Sequence, residues 1–424
     1  MQISQDGISE LYRTPIEIRV TRKPFQVQSY RNGTEVVCLL GIFPGGQSKL
    51  WDLVQVGDIG SILLDMIDDP SNESDIEDAR LTSLYRAIAS VWSAGCHNIQ
   101  IVNIGKQSEF DGLSKDDYHD LMFDRTGGGL YVSTNESIAS IIVPVDAVAE
   151  GYLKTTGDFV DYLEQSANAA ASAMSSGNFV QVVLSTGTSD VTLLTNSESI
   201  RRKEDWQFRD PDKSFCYSQT LGWIPTNDKY RFVAVPAGRA VQTYTSIGVG
   251  YLGGLAPAVA GLMGSLASGI SLAGRILDNV SHENVLSDPV DIQDLIDAGY
   301  IPFGDNASIR RHRIFGSLIL ADPTMSINVS DYKQEAVLRL ARRASMALQL
   351  AIEPYIGTNG IGIETAVTQT LTNLANSGVL KGNTVKFSRD PDDPYHSLRI
   401  FVQLEPYLPT KLISIELVAG PFVL

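Results

Sequence analysis

The chain has 424 residues, of which 43% are hydrophobic and 19% charged, as in a globular protein large enough for two or three domains. Its 49 acidic and 33 basic side chains give a formal net charge of −16, which argues against broad nucleic-acid binding because that field repels polyphosphate. Its three cysteines (Cys38, Cys96, Cys216) are too few and too scattered for a disulfide framework and indicate a reducing cytoplasm.

The N-terminal half predicts an arm followed by alternating strands and helices. Residues 1–24 form the arm, a polar segment with one short strand that contains Ile16, Ile18 and Val20. Apolar runs and helical spacing then predict strands at Val36–Ile42, Asn98–Ile104, Ile141–Val145, Phe179–Leu184 and Arg231–Val235, and helices at Asp75–Ala94 and Asp158–Ser175. Strand, helix, strand order is typical of an α/β layer.

The stretch from Ala240 to Gly274 carries no charged residue and exceeds the roughly 20 apolar residues that a membrane-spanning helix needs. Glycines and Pro257 interrupt it, and no basic cluster flanks it in the manner of a membrane anchor. The sequence therefore predicts a loop followed by a buried helix rich in Ala, Gly and Leu, Pro257–Leu277, and no membrane insertion.

The run Gly248–Gly253 within this stretch matches the glycine pattern of dinucleotide-binding loops. However, Pro257 falls where the first helical turn should approach the phosphate, and the nearest downstream acid, Asp278, lies beyond the predicted helix. The pattern favours a glycine-rich loop that packs against a neighbouring segment, with an α/β nucleotide-binding enzyme as the alternative. Because no Walker loop, serine elbow or His-Glu-x-x-His helix occurs, we expect no catalytic, cofactor or metal site.

The C-terminal part predicts two amphipathic helices followed by strands. The helices are Asp331–Ile352 and Glu364–Ser377, and the strands are Thr384–Phe387, Leu398–Leu404 and Leu412–Val418. In the last strand Ile413, Ile415 and Leu417 alternate with polar residues, and no local segment supplies a hairpin partner. The strand in the N-terminal arm also lacks a local pairing partner, so both terminal strands predict strand exchange between copies of the chain.

Three arginines share one face of the first of these helices: Arg339, Arg342 and Arg343. Clustered guanidinium groups in an acidic chain suit a defined acidic surface on a partner. Salt bridges within the chain, or simple solvation, are the alternative.

Several segments resemble contractile tail sheath proteins of bacteriophages and related injection systems. Ser287–Ile301 is similar to a helix and strand of that family, Cys38–Gly46 to its early strand and glycine turn, and Ala94–Val102 to its following strand. The resemblance implies an α/β fold, α+β overall: an inner C-terminal α/β domain whose mixed or antiparallel sheet is completed by terminal strands, and an inserted outer α/β domain. The implied domains are 1–24, 25–305 (with a possible insertion at 106–235) and 306–424.

The resemblance also implies a structural role without catalysis. Subunits would form hexameric rings, stacked as a helix around an inner tail tube protein and ending at baseplate and tail terminator proteins. Contraction would drive the tube through a target envelope. Arg339, Arg342 and Arg343 would face the tube, and the particle would be a virion tail assembled in the host cytoplasm. A secretion-type injection system is the alternative within the same family.

Overall fold

The computed structural model describes residues 14–18, 35–45, 53–57, 59–69, 71–76, 82–106, 120–124, 128–136, 139–145, 156–175, 180–186, 192, 194, 215–218, 222–225, 232–237, 239–243, 250–277, 280–282, 286, 288–306, 311–316, 335–355, 361–378, 380–389 and 398–406. The helices are α1 (Ile59–Met66), α2 (Ser83–Ser93), α3 (Gly129–Glu136), α4 (Thr156–Ser175), α5 (Ala256–Ser265), α6 (Pro289–Asp297), α7 (Glu335–Ile352) and α8 (Ile363–Asn376).

The strands fall into several sheets. They are β1 (Thr14–Ile18), β2 (Val37–Phe43), β3 (Leu53–Val56), β4 (Ile99–Lys106), β5 (Ile141–Pro144), β6 (Gln181–Val183), β7 (Phe215–Ser218), β8 (Gly222–Pro225), β9 (Val233–Ala234), β10 (Pro236–Ala237), β11 (Arg239–Thr243), β12 (Gly250–Gly254), β13 (Val280–His282), β14 (Ile301–Asn306), β15 (Arg311–Ile314), β16 (Leu380–Arg389) and β17 (Leu398–Pro406). The predicted strands in the N-terminal half correspond to β2, β4, β5, β6 and β9.

The centre of the molecule is a six-stranded sheet in the order β3-β4-β2-β5-β6-β9. All neighbours in it are parallel except β3, which runs antiparallel at one edge. Along β2, Val37 and Leu39 belong to one apolar cluster while Cys38 and Leu40 belong to another on the opposite face. Both faces are therefore covered, which is why these strands have nearly continuous apolar sequences. The α/β fold class is confirmed.

Helix α5 packs so closely against α2 and against Cys96, which follows it, that an added Cβ atom would clash at two glycines. A Cβ atom on Gly261 would lie 2.7 Å from the Val91 Cα, and one on Gly264 would lie 2.7 Å from the Cys96 sulfur. The helix ends at Ser265, well before the predicted Leu277, because Leu266 is extended and Gly269 has a φ of +91°. In the part of the chain that the structure describes, none of the helices has the length and apolarity needed to span a bilayer.

The predicted domain boundary at 305–306 falls between two paired strands: β15 pairs with β14, and Ile314 is buried in the same cluster as β2. The strands β5, β6 and β9, which lie within the possible insertion at 106–235, belong to the central sheet. The predicted domains stay a prediction. We call described residues 35–316 the body and residues 335–406, with β1, the C-terminal unit.

The C-terminal unit has its own apolar cluster, formed by α7, α8 and the sheet β1-β17-β16. On α8, apolar residues at helical spacing are buried: Ile363, Val367, Leu371 and Leu374. On α7, Leu340, Ala344, Leu348 and Ile352 are buried, whereas Ala351 is half-buried. The two helices cover one face of this sheet.

Candidate assembly surface

Strand β16 forms an edge of the C-terminal sheet. It pairs along its length with β17, from Leu380 opposite Pro406 to Arg389 opposite Leu398. Among the described residues no strand pairs with its other side. Leu380 is buried, whereas Lys381, Asn383 and Lys386 are exposed. A ten-residue edge with unpaired backbone groups is the kind of template to which a further strand adds.

The opposite edge of the sheet is occupied by the chain's own arm. β1 runs antiparallel to β17, with Ile16 opposite Val402 and Ile18 opposite Ile400. In the single chain these residues therefore complete their own sheet, and their exchange with another copy stays a prediction. Because the arm is tethered to the same chain, its effective concentration at this edge is high, which explains why it pairs with β17 in the single chain. Val20, Ile413, Ile415 and Leu417 lie outside the described residues, and their exchange stays a prediction.

Two of the three predicted tube-facing arginines are buried inside the chain. Arg339 exposes 2% of its surface and Arg342 6%, so neither presents a cation to a partner in this conformation. In the single chain both arginines form the alternative, salt bridges within the chain, and their contact with a tube stays a prediction. Arg343 is half-buried, and its contact with a tube stays a prediction.

Arg339 binds both an acid on its own helix and the end of another helix. Its Nε pairs with Glu335 Oε1, one helical turn earlier. Nη1 donates to the carbonyl oxygen of Met263 at 2.9 Å, and Nη2 donates to that of Ile270 at 2.7 Å. The Met263 carbonyl lies in the last turn of α5, where backbone acceptors lack partners within the helix and the helix dipole favours a cation.

Arg342 reaches the body at the start of the central sheet. Its Nη1 donates to Glu35 Oε2 at 3.1 Å, and the hydroxyl of Ser268 donates to the other oxygen of that carboxylate at 3.2 Å. Glu35 stands two residues before β2 and is buried, and these two hydrogen bonds offset the cost of removing its carboxylate from water. Together Glu35, Ser268, Glu335, Arg339 and Arg342 form what we call the arginine joint.

Sequence reasoning missed the acidic half of the arginine joint. The spacing of Glu335 and Arg339 is the i, i+4 spacing of helical ion pairs, and it could have identified that pair. Glu35 and Ser268 carry no comparable local signal, because they are distant from Arg342 in sequence. The helical projection showed correctly that the arginines share a face, but not which surface that face contacts.

The described part of the glycine motif, residues 250–253, does not form a nucleotide loop; Gly248 lies outside the described residues. Gly250 and Gly253 belong to β12, which pairs antiparallel with β11, whereas a dinucleotide site needs a turn between a parallel strand and a helix. At the start of α5, the Ala256 N–H donates to Ser185 Oγ at 3.1 Å. A Cβ atom on Gly254 would lie 2.0 Å from the Ser185 Cβ. The Ser185 side chain thus occupies the position at the start of α5 where a phosphate would accept a hydrogen bond.

The described cysteines do not form a reactive site. Cys38 and Cys96 are buried free thiols, and burial raises the pKa of Cys96 to about 11, so it stays protonated at neutral pH. Its sulfur lies 3.7 Å from the carbonyl oxygen of Glu35. Within the described ranges, no group of His, Cys, Asp and Glu side chains is arranged to hold a metal ion.

Comparison of the sequence with protein-family models and with curated proteins gives no match. Solved structures do match. The chain is similar to the helical sheath of the anti-feeding prophage in the contracted state, with 12% identity and a TM-score of 0.58 over 95% of this chain and 98% of that one. It is also similar to the contracted sheath complex of PVC, an extracellular contractile injection system, with 10% identity and a TM-score of 0.57 over 95% of this chain and 99% of that one. A sheath tail protein of Desulfitobacterium hafniense matches with 10% identity and a TM-score of 0.53 over 91% of this chain and 100% of that one. The chain therefore has the fold of contractile tail sheath proteins.

Proposed function

We propose that the chain is a structural subunit of a contractile sheath, which polymerises as stacked hexameric rings around an inner tube. The single observation that carries this proposal is the fold match, which covers nearly all of this chain and nearly all of each sheath protein. A match to one domain would leave the role open, because many functions share a fold. Here both the body and the C-terminal unit are included.

The C-terminal unit supports assembly by strand exchange. β16 offers ten residues of unpaired edge, and residues 411–424 of another copy have the alternating sequence of a strand that lacks a local partner. The edge of β17 that β1 occupies in the single chain could equally receive the arm of a neighbour, because the same hydrogen bonds form in either case. Main-chain hydrogen bonds of this kind hold subunits together while their bodies rotate.

Contraction then needs no bound nucleotide. The extended sheath would be a metastable packing, and release into a more stable packing would drive the tube through the target envelope. The tube, baseplate and tail terminator proteins are the partners of this proposal, and Arg343 is its remaining tube-facing candidate. An α/β enzyme that uses residues 248–253 is not favoured, given the antiparallel pairing of β12.

The particle is either a virion tail assembled in a host cytoplasm or an injection system built on the same plan. Two of the three solved sheaths described above belong to injection systems, which favours keeping the second candidate. Helical symmetry and the particle with which the chain purifies would separate the two. Both candidates make the same prediction for the isolated subunit.

Deletion of residues 411–424 tests the proposal. The full-length chain should form tubular polymers in negative-stain images, whereas the truncated chain should remain a folded monomer by sedimentation and circular dichroism, because the strand for the β16 edge is gone. A matched pair of variants narrows the cause. Ile413→Asp with Ile415→Asp changes the apolar face of the strand and should abolish the tubes, while Ser414→Ala with Glu416→Gln changes its polar face and should preserve them.

Two outcomes would contradict this assignment. A full-length chain that stays monomeric at high concentration would argue against a sheath subunit. Tubes formed equally well by the truncated chain would leave polymerisation intact but remove the terminal strand from it.

A further inference from the structure

The contact between α7 and the body is made by charged side chains. Arg339 donates to the carbonyl oxygens of Met263, Leu266 and Ile270, and Arg342 donates to Glu35. The apolar cluster of the C-terminal unit shares no residue with the two clusters of the body. The described parts of the two units are therefore held by directional polar contacts between separate apolar cores.

The arginine joint lies at the amino ends of the central parallel strands. Glu35 precedes β2, Ser140 precedes β5, and Gln181 begins β6, and all three line one small cavity with Arg339 and Arg342. The cavity measures about 10 Å³, which suits a single water molecule. The amide nitrogen and oxygen of Gln181 are buried and have no protein partner among the described residues, so a water molecule bound there would satisfy them.

A joint of this chemistry differs from an apolar contact in what it does. Buried ion pairs add little net stability because desolvation opposes their attraction, but their geometry fixes one orientation. If the joint opens, its charges regain water, and the apolar surface exposed in the cavity is limited to Val180 and Phe232 at the edge of the body's core. Loss of one partner therefore destabilises the closed arrangement and leaves the fold of each unit intact.

We propose that the arginine joint is a positioning device that holds the C-terminal unit at one orientation on the body, and that the unit detaches there without unfolding. Arg339 fixes the end of α5 and Arg342 fixes Glu35, so two separated points on α7 define the angle. The proposal concerns the single chain and holds whether or not the chain polymerises.

Single-molecule energy transfer between the two units tests the proposal. Dyes would be attached at Ser74→Cys on the body and Asn373→Cys on α8, both exposed positions, in a Cys216→Ser background; Cys38 and Cys96 are buried and should remain unlabelled. The parent chain should give one transfer efficiency. Arg342→Met and Glu35→Gln should each raise the detached fraction about ten- to hundredfold, the range expected for losing a hydrogen bond to a charged group.

Arg343→Met is the matched control, since it removes a guanidinium from the same helix outside the joint and should leave the single efficiency unchanged. The double variant Glu35→Gln with Arg342→Met should detach no more than Arg342→Met alone, because the pair is already broken. A single efficiency in both joint variants would overturn the proposal. So would equal detachment in Arg343→Met, or loss of helical circular dichroism in proportion to the second population, which would indicate unfolding.

Discussion

The body and the C-terminal unit bury their sheets differently. Every residue of β2 is buried, because helices cover both faces of the central sheet, whereas β16 has exposed residues along most of its length. The faces of the central sheet are thus covered by the chain's own helices. The C-terminal unit has two helices on one face of a three-stranded sheet and a ten-residue edge that the described chain does not pair. The difference supports our proposal that the smaller unit carries the assembly strands.

The same contrast appears in how the helices pack. In the body, α5 approaches α2 so closely that a Cβ atom on Gly261 would clash with the Val91 backbone, which leaves little freedom to shift. In the C-terminal unit, α7 and α8 form an apolar cluster of ordinary side chains, and α7 meets the body through the arginine joint. A rigid body joined to a smaller unit by polar contacts suits a subunit whose neighbours change position.

The largest expected effects come from truncating one core at a time. Ile101→Ala in β4 and Leu371→Ala in α8 remove fully buried side chains, and each should cost about 2–5 kcal/mol. Native-state hydrogen exchange should separate them, because Ile101→Ala should lower protection throughout the body whereas Leu371→Ala should lower it only within 335–406. Gln369→Ala, on the exposed face of α8, is the control and should change protection little. Equal losses in both units from either truncation would mean that the chain has one cooperative core.

A smaller effect tests the close packing of the body. Gly261→Ala places a methyl group against the Val91 backbone and should lower the free energy of unfolding by about 1–3 kcal/mol, since the backbone cannot give way as a side chain can. Chemical denaturation measures the loss. Gly57→Ala serves as the control because no atom lies within 4 Å of its added Cβ, and it should be nearly neutral. Equal stability of the two variants would show that α5 and α2 separate easily.

The spacing of apolar residues predicted those helices and strands whose position depends on local sequence. The four buried positions of α8 and the five parallel strands of the central sheet follow from spacing and apolar runs, because those patterns record which face is covered. The antiparallel strand β3 was not predicted. Helix α5 was predicted too long, since apolar composition cannot show that the chain turns at Gly269. The glycine pattern of residues 248–253 was ambiguous for the same reason, and only the pairing of residues 250–253 with β11 shows that this part is a strand.

The arginines mark the limit of this reasoning. A helical projection places Arg339 and Arg342 on one face, but the surface that covers the face comes from Glu35 and from α5, distant in sequence. Burial of arginine is unusual enough that exposure was the natural expectation. Both arginines are buried because tertiary structure supplies partners for them. Arg339 contacts the carbonyl groups at the end of α5, and Arg342 contacts Glu35 at the start of a buried strand.

The most direct test of the central claim is a cryo-EM reconstruction of the polymer formed by the full-length chain. We predict a hollow tube in which a strand from a neighbouring copy lies beside β16 and extends the C-terminal sheet. A polymer whose copies meet only through their bodies, with the edge of β16 facing solvent in every copy, would contradict the claim.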